Sequence, residues 1–328
     1  MEESTVKIVT GLGSIDDYVR FVKAGADEFF CGYVPYEWTK KYGIMLPLNR
    51  REVLYCNVQI GSLEELRILK RMVDLYHVPV KITFNSLFYL REQYPLIIKM
   101  MKDCIEVGFD TFIIGDVALL HYVRENQLKC KIHLSGELGE LNHLTMEEMN
   151  NLFVKRYIFH RKNTIKDMKE CIARNGNQGF EYEAFALNEW CHYTGGFCNS
   201  LHCDELPHLC KVPYELKKQR EQKGKFDAIL NRFDQEESFD EIEEESNYCT
   251  GATGCGLCAI KQLKAANITH LKVVGRGNYA DYMEQDIKRL KQVLELEEKI
   301  EDEAIFKEEM KRMIFPNGCS HVCYYREE

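Results

Sequence analysis

The chain has 328 residues, 45% of them hydrophobic, and a formal charge of −9 at pH 7. That is enough apolar material for one large core or two modest ones, and it places the chain among globular proteins. A net acidic surface excludes binding to nucleic acid over the whole molecule, so an RNA partner needs a local basic patch.

No uninterrupted apolar run approaches the roughly 20 residues of a membrane span, so no membrane partner is expected. Met1-Glu2-Glu3-Ser4-Thr5 lacks the basic start of an export signal, which predicts a cytoplasmic, reducing environment.

Short β-rich runs alternate with helical periodicity along the chain. Strands are predicted at residues 7–10, 28–31, 80–84, 111–114, 131–134, 156–159, 180–185 and 270–274. Helical spacing is clearest over 62–74, where apolar positions recur at three and four, and later over 279–296 and 301–313. Ser14, Ser62 and Thr145 each precede an acidic first turn and read as N-caps. Eight such units predict an α/β protein with a TIM-like (β/α)8 barrel, an open doubly wound sheet being the alternative. Residues 1–187 then carry seven barrel strands and 188–258 form a cysteine-rich insertion after the seventh. Residues 259–300 complete the barrel and 301–328 make a C-terminal helical tail, all within one structural unit.

The insertion holds Cys191, Cys198, Cys203, Cys210, Cys249, Cys255 and Cys258, half of the 14 cysteines, and Cys319 and Cys323 follow near the C-terminus. Thiolates at short gaps can converge on a metal without closing long loops, and a reducing compartment favours metal over disulfides. Spacing alone leaves iron–sulfur and zinc open. Cys31, Cys56, Cys104, Cys130 and Cys171 lie in apolar patterns and read as small buried hydrophobes. Cys255-Gly-Leu-Cys258 and Cys319-Ser-His-Val-Cys323 form a second four-thiolate set, for zinc or a further cluster, that would pin the tail to the barrel. His202, Cys203 and His208 are substitute ligands. A basic stretch at 217–225 and an acidic run at 234–246 read as solvated faces of the insertion.

Asn85, Asp116, Ser135, Glu137, Arg161, Glu183 and Arg276 each follow or close a predicted strand. In a barrel such positions converge on the mouth, where active sites are built. Arg161 and Arg276 suit a carboxylate or phosphate, and Glu183 suits proton transfer if burial raises its pKa. Glu183, Arg161 and Asp116 are therefore the catalytic candidates, with Asn85, Ser135, Glu137 and Arg276 binding substrate. A structural salt-bridge network is the competing reading of the same residues. Gly11-Leu-Gly13 and Gly251-Ala-Thr-Gly254 are too short for a dinucleotide fingerprint. No His-Glu-x-x-His occurs, and Ser135 has no nucleophile elbow, so a hydrolase mechanism lacks parts.

Several segments resemble the peptidase U32 family, the collagenase-like proteins whose better-understood members are iron–sulfur modification enzymes. The resemblance rests on Glu183-Ala-Phe185 leading to Cys191 and to Cys198 after Gly195-Gly196. It also rests on Val80 to Asn85, Gly108 to Asp116, His133-Leu-Ser135 with Asn142, and His270 to Arg276. It implies a barrel core and a 4Fe–4S cluster held by Cys191, Cys198, Cys210 and Cys249. The implied activity is oxygen-independent (anaerobic) hydroxylation of an organic small molecule, a peptide or RNA, with a prephenate-like oxygen donor. Collagenase-like peptidase activity and a non-catalytic or electron-transfer subunit of a heteromeric hydroxylase are the alternatives. Arg161-Lys162 stands where the family often has Arg-Glu, and Gly136-Glu137-Leu138 replaces its usual Thr-Gln-Met.

Overall fold

Parallel strands buried on both faces need near-continuous apolar runs, and the short β-rich segments supply them. In the computed structural model, which describes residues 6–43, 46–50, 58–176, 179–191 and 248–326, they pair in chain order into a closed barrel. The strands are β1 (Lys7–Gly11), β2 (Glu28–Gly32), β3 (Val80–Phe84), β4 (Thr111–Ile114), β5 (Lys131–Leu134), β6 (Val154–Ile158), β7 (Glu181–Leu187) and β8 (His270–Val273). Each pairs in parallel with the next, and β8 closes the ring against β1, with Ile8 opposite Leu271. The open-sheet alternative is thereby excluded.

The helices between the strands are α1 (Tyr18–Ala24), α2 (Tyr36–Tyr42), α3 (Leu63–Tyr76), α4 (Tyr94–Val107), α5 (Val117–Glu125), α6 (His143–Met149) and α7 (Ile165–Asn175). After the insertion come α8 (Ile260–Ala265), α9 (Ala280–Glu297) and α10 (Glu303–Ile314). Ser62 caps α3 by accepting from the Glu65 amide, and Ser14 caps a 3-10 turn at Ile15–Asp17, as predicted. Thr145 caps nothing. Asn142 takes that place, its Oδ1 accepting from the Thr145 amide at 3.0 Å, because an Asx side chain reaches the N3 amide readily. Strand β6 begins at Val154, two residues before the predicted start, so Arg156 lies inside the strand.

Two cores result. One fills the space between strands and helices, with Phe29, Ile82, Leu120 and Leu290 among its fully buried members. The other lies in the upper barrel and joins Val9, Phe30, Ile113, Ile158, Phe185 and Val274 to Tyr324 of the C-terminal segment. That segment returns to the barrel after α10. The backbones at Cys323 and Cys255 pair as an isolated parallel β-bridge, and the Tyr324 amide donates to the Cys255 carbonyl at 2.9 Å.

Below this apolar layer the barrel interior is charged. Arg156 on β6 donates to Glu28 on β2 at 2.6 Å and to Glu183 on β7 at 2.8 Å. Strands β2 and β6 stand on opposite sides of the ring, so this contact has to cross the barrel axis. Arg156 is 1% exposed, and Glu181 and His270 complete its surroundings at 2.8 and 2.9 Å.

Candidate active site at the barrel mouth

The C-terminal ends of the strands surround a small cavity that opens to solvent. Asn85 after β3, Ser135 and Glu137 after β5, Arg161 after β6 and Arg276 after β8 all line it, as the strand-end reading expected. Arg50 and Lys272 join them, with Phe30 and Phe185 supplying aromatic faces.

Arg161 is 5% exposed and donates from Nη1 to Glu137 Oε1 at 3.0 Å, with its guanidinium 4.3 Å over the Phe185 ring. Burial works against its charge, but Glu137, together with smaller contributions from Tyr324, Cys191 and Glu189, outweighs burial and raises its pKa further. Its Nε is buried with no hydrogen-bond partner among the described residues. Arg50 Nε sits 3.8 Å from the other Glu137 oxygen, so one carboxylate faces two guanidinium groups. The backbone fixes these positions: the Ser135 hydroxyl accepts from the Glu137 amide, and Asn85 Oδ1 accepts from the Arg50 amide, both at 3.2 Å. Arg276 reaches across the mouth to donate to Thr83 Oγ1 at 3.1 Å. Its path needs glycine beneath it. A Cβ on Gly11 would lie 2.7 Å from Arg276 Cγ, and one on Gly32 would lie 2.9 Å from Nη1.

Two catalytic candidates are placed differently from expectation. Asp116 does not line the cavity. It caps α5 through Ala118 at 2.8 Å and accepts from the Tyr89 amide and the Tyr94 hydroxyl, so its oxygens are committed to holding the loops. Glu183 is fully buried under the mouth, yet its pKa is not raised. Burial alone would raise it, but Lys272 at 2.7 Å and Arg156 at 2.8 Å prevail and hold it down to about 2. Lys272 carries the reciprocal effect. Burial lowers its pKa more than Glu183 supports it, and its ammonium lies 3.7 Å over the Phe30 ring at the cavity floor.

Strand-end reasoning missed Arg50, Arg156, Lys272 and Tyr324. For Lys272 the signal was alternation: His270 and Lys272, like Glu181 and Glu183, recur at every second position of a strand and so face one side. Tyr324 had no such signal, because its place depends on the return of the tail.

Cys191 and Cys249 flank the insertion, and the structure sets their segments side by side. The Asn188 amide donates to the Gly254 carbonyl at 2.8 Å, and the Glu189 amide to Thr253 Oγ1 at 3.2 Å. Asp286 of α9 locks both ends, accepting from Asn188 at 2.6 Å, from Thr250 at 2.7 Å and from the Tyr248 hydroxyl. Glu189, two residues before Cys191, lines the cavity, so this segment reaches the mouth. Cys198, Cys203, Cys210, His202 and His208 lie outside the described residues. Two of the four implied cluster ligands are thus in view, on adjoining segments, and their thiol chemistry suits iron. Cys255, Cys258, Cys319 and Cys323 line a separate cavity of about 360 Å³. Among the described residues, no three His, Cys, Asp or Glu side chains stand ready to hold a metal ion as they are.

The sequence is similar to those of known proteins. The chain is 25% identical over 174 residues to tRNA hydroxylation protein P of Escherichia coli (strain K12), covering 53% of this chain and 34% of the relative. It is 24% identical over 192 residues to the protein of that name from Haemophilus influenzae, covering 58% and 38%. The matched region thus spans little more than a third of the length of either relative. The solved U32 peptidase Mk0906 aligns with a TM-score of 0.43 and 9% identity, over 56% of this chain and 70% of that one. The profile of peptidase family U32 matches residues 13–328, and the chain belongs to that family.

Proposed function

We propose that this chain hydroxylates RNA, with a tRNA base as the substrate, in an oxygen-independent reaction at the barrel mouth. The observation that carries the reading is the cavity itself: buried Arg161, Arg276 and Lys272 converge on it, and Glu189, two residues before Cys191, lies on its wall. Such a mouth binds an anion in a water-poor setting, where each charged hydrogen bond counts for more than in water. The likeness to two proteins named for tRNA hydroxylation supports RNA over a small molecule or a peptide.

Arg161 and Arg276 hold the carboxylate of a prephenate-like oxygen donor, their forked donors matching its geometry. Phe30 and Phe185 offer ring faces against which a base can stack. Lys272 takes the proton-donating role first sought in Glu183, since it lines the cavity and its pKa is lowered. Glu183 stays ionised and keeps the Lys272 ammonium aimed at the floor of the mouth. A 4Fe–4S cluster on Cys191, Cys198, Cys210 and Cys249 would supply one-electron chemistry beside this cavity.

Anaerobic purification with iron and sulfide analysis tests the reading. The expected result is about four irons and four sulfides per chain, lost together in Cys191→Ala and in Cys249→Ala. A colourless protein that carries no iron in either form would contradict it.

A further inference from the structure

Four thiols meet at the join between the insertion and the C-terminal tail, apart from the mouth. Cys255 and Cys258 come from the segment entering α8, and Cys319 and Cys323 from the chain after α10. All four line one cavity of about 360 Å³, together with His321 and the apolar walls Phe315 and Tyr325. The backbone already registers the two segments: Cys255 and Cys323 are bridge partners, and the Cys255 amide donates to the Val322 carbonyl at 2.8 Å. The Ser320 hydroxyl adds a bond to the Gly251 carbonyl at 2.8 Å. The turn between the tail cysteines puts His321, a non-glycine residue, at φ 58°, and the two thiols it joins, four positions apart, line the same cavity.

We propose that Cys255, Cys258, Cys319 and Cys323 bind one zinc ion that clamps the tail to the barrel. Two short-spaced thiol pairs from distant segments match a closed four-sulfur tetrahedron, the usual structural zinc site. The sulfurs do not stand in that arrangement as they are. They surround the cavity, and a change of staggered rotamer at the cysteine χ1 moves a sulfur by about 3 Å without moving the backbone. The consequence reaches the mouth. Tyr324, next to the last ligand, packs in the upper-barrel core with Phe185 and donates to the Asn188 carbonyl, three residues before Cys191. Zinc therefore holds Tyr324 against the segment that leads to Cys191. This site stands independently of the hydroxylation reading.

The test is zinc analysis of the full-length protein with zinc K-edge X-ray absorption, which is blind to iron. The expected result is about one zinc per chain, surrounded by four sulfurs at about 2.3 Å. Cys319→Ser with Cys323→Ser should lose that zinc while leaving bound iron unchanged. A zinc-free protein, zinc with nitrogen or oxygen neighbours, a disulfide between Cys255 and Cys323, or zinc retained in the double variant would overturn the proposal. The spectrum of the unsubstituted protein decides the matter even if the double variant fails to fold.

Discussion

At Glu183, burial and charge pull in opposite directions. The carboxylate has no exposed surface, yet Lys272 and Arg156 hold it ionised, and it in turn offsets the desolvation of both cations. Glu183→Gln removes that balance and leaves two buried cations under-compensated. It should destabilise the fold by about 3 kcal/mol in chemical denaturation, as expected on losing one partner of a buried pair. A variant as stable as the parent would show that the network is not under tension. The neighbouring His270 shares the pH response with His133 and His160, whose pKa values burial also lowers. Burial first, and then the Arg156 charge, depress the His270 pKa from 6.5 to about 4. The unfolded chain therefore takes up this proton before the folded one does. The associated stability is complete above pH 6.5 and is lost as pH falls toward about 4; Glu183 extends the loss from 4.5 to about 2. Denaturation midpoints should fall across the upper window, and His270→Gln should flatten that part of the curve. At the mouth, Arg161→Met should weaken binding of a carboxylated donor about tenfold or more, read by titration of the folded protein.

Among elements, strands were more legible than the connections between them. Residues 80–84, 111–114 and 131–134 match β3, β4 and β5 end to end, because short runs dense in β-branched and aromatic residues favour strand over helix. The start of β6 was missed because exposed Lys155, beside Arg156, reads as a polar turn and cuts Val154 off from the apolar run. Asn142 lost its place to Thr145 in the reading because both residue types cap helices and only geometry separates them. The tail was foreseen as tied down by cysteine, but its aromatic residues were not weighed. Tyr324 is 6% exposed and touches Phe185 and Trp190. Tyr324→Ala should therefore cost about 3 kcal/mol in stability, as for other buried aromatic truncations. A cost below about 0.5 kcal/mol, typical of surface changes, would mean that the tail does not pack in the upper barrel.

For the whole molecule, eight alternating units implied a closed ring, and closure gathers at one end residues that are far apart in the chain. Asn85, Ser135, Glu137, Arg161 and Arg276 were legible as mouth residues because the barrel brings strand ends together whatever lies between them. What lies beneath them was not, since a charged interior depends on contacts across the ring, between strands as distant as β2 and β6. In the proposed reaction the arginines bind the anionic donor, and Glu189 on the cavity wall brings the segment of Cys191 to it. The most direct measurement is mass spectrometry of tRNA nucleosides from anaerobically grown cells that lack tRNA hydroxylation protein P and express this chain. The account predicts a nucleoside heavier by one oxygen, present with the parent chain and absent with Cys191→Ala or Arg161→Met. Unchanged tRNA in cells holding the folded, iron-loaded parent chain would contradict it.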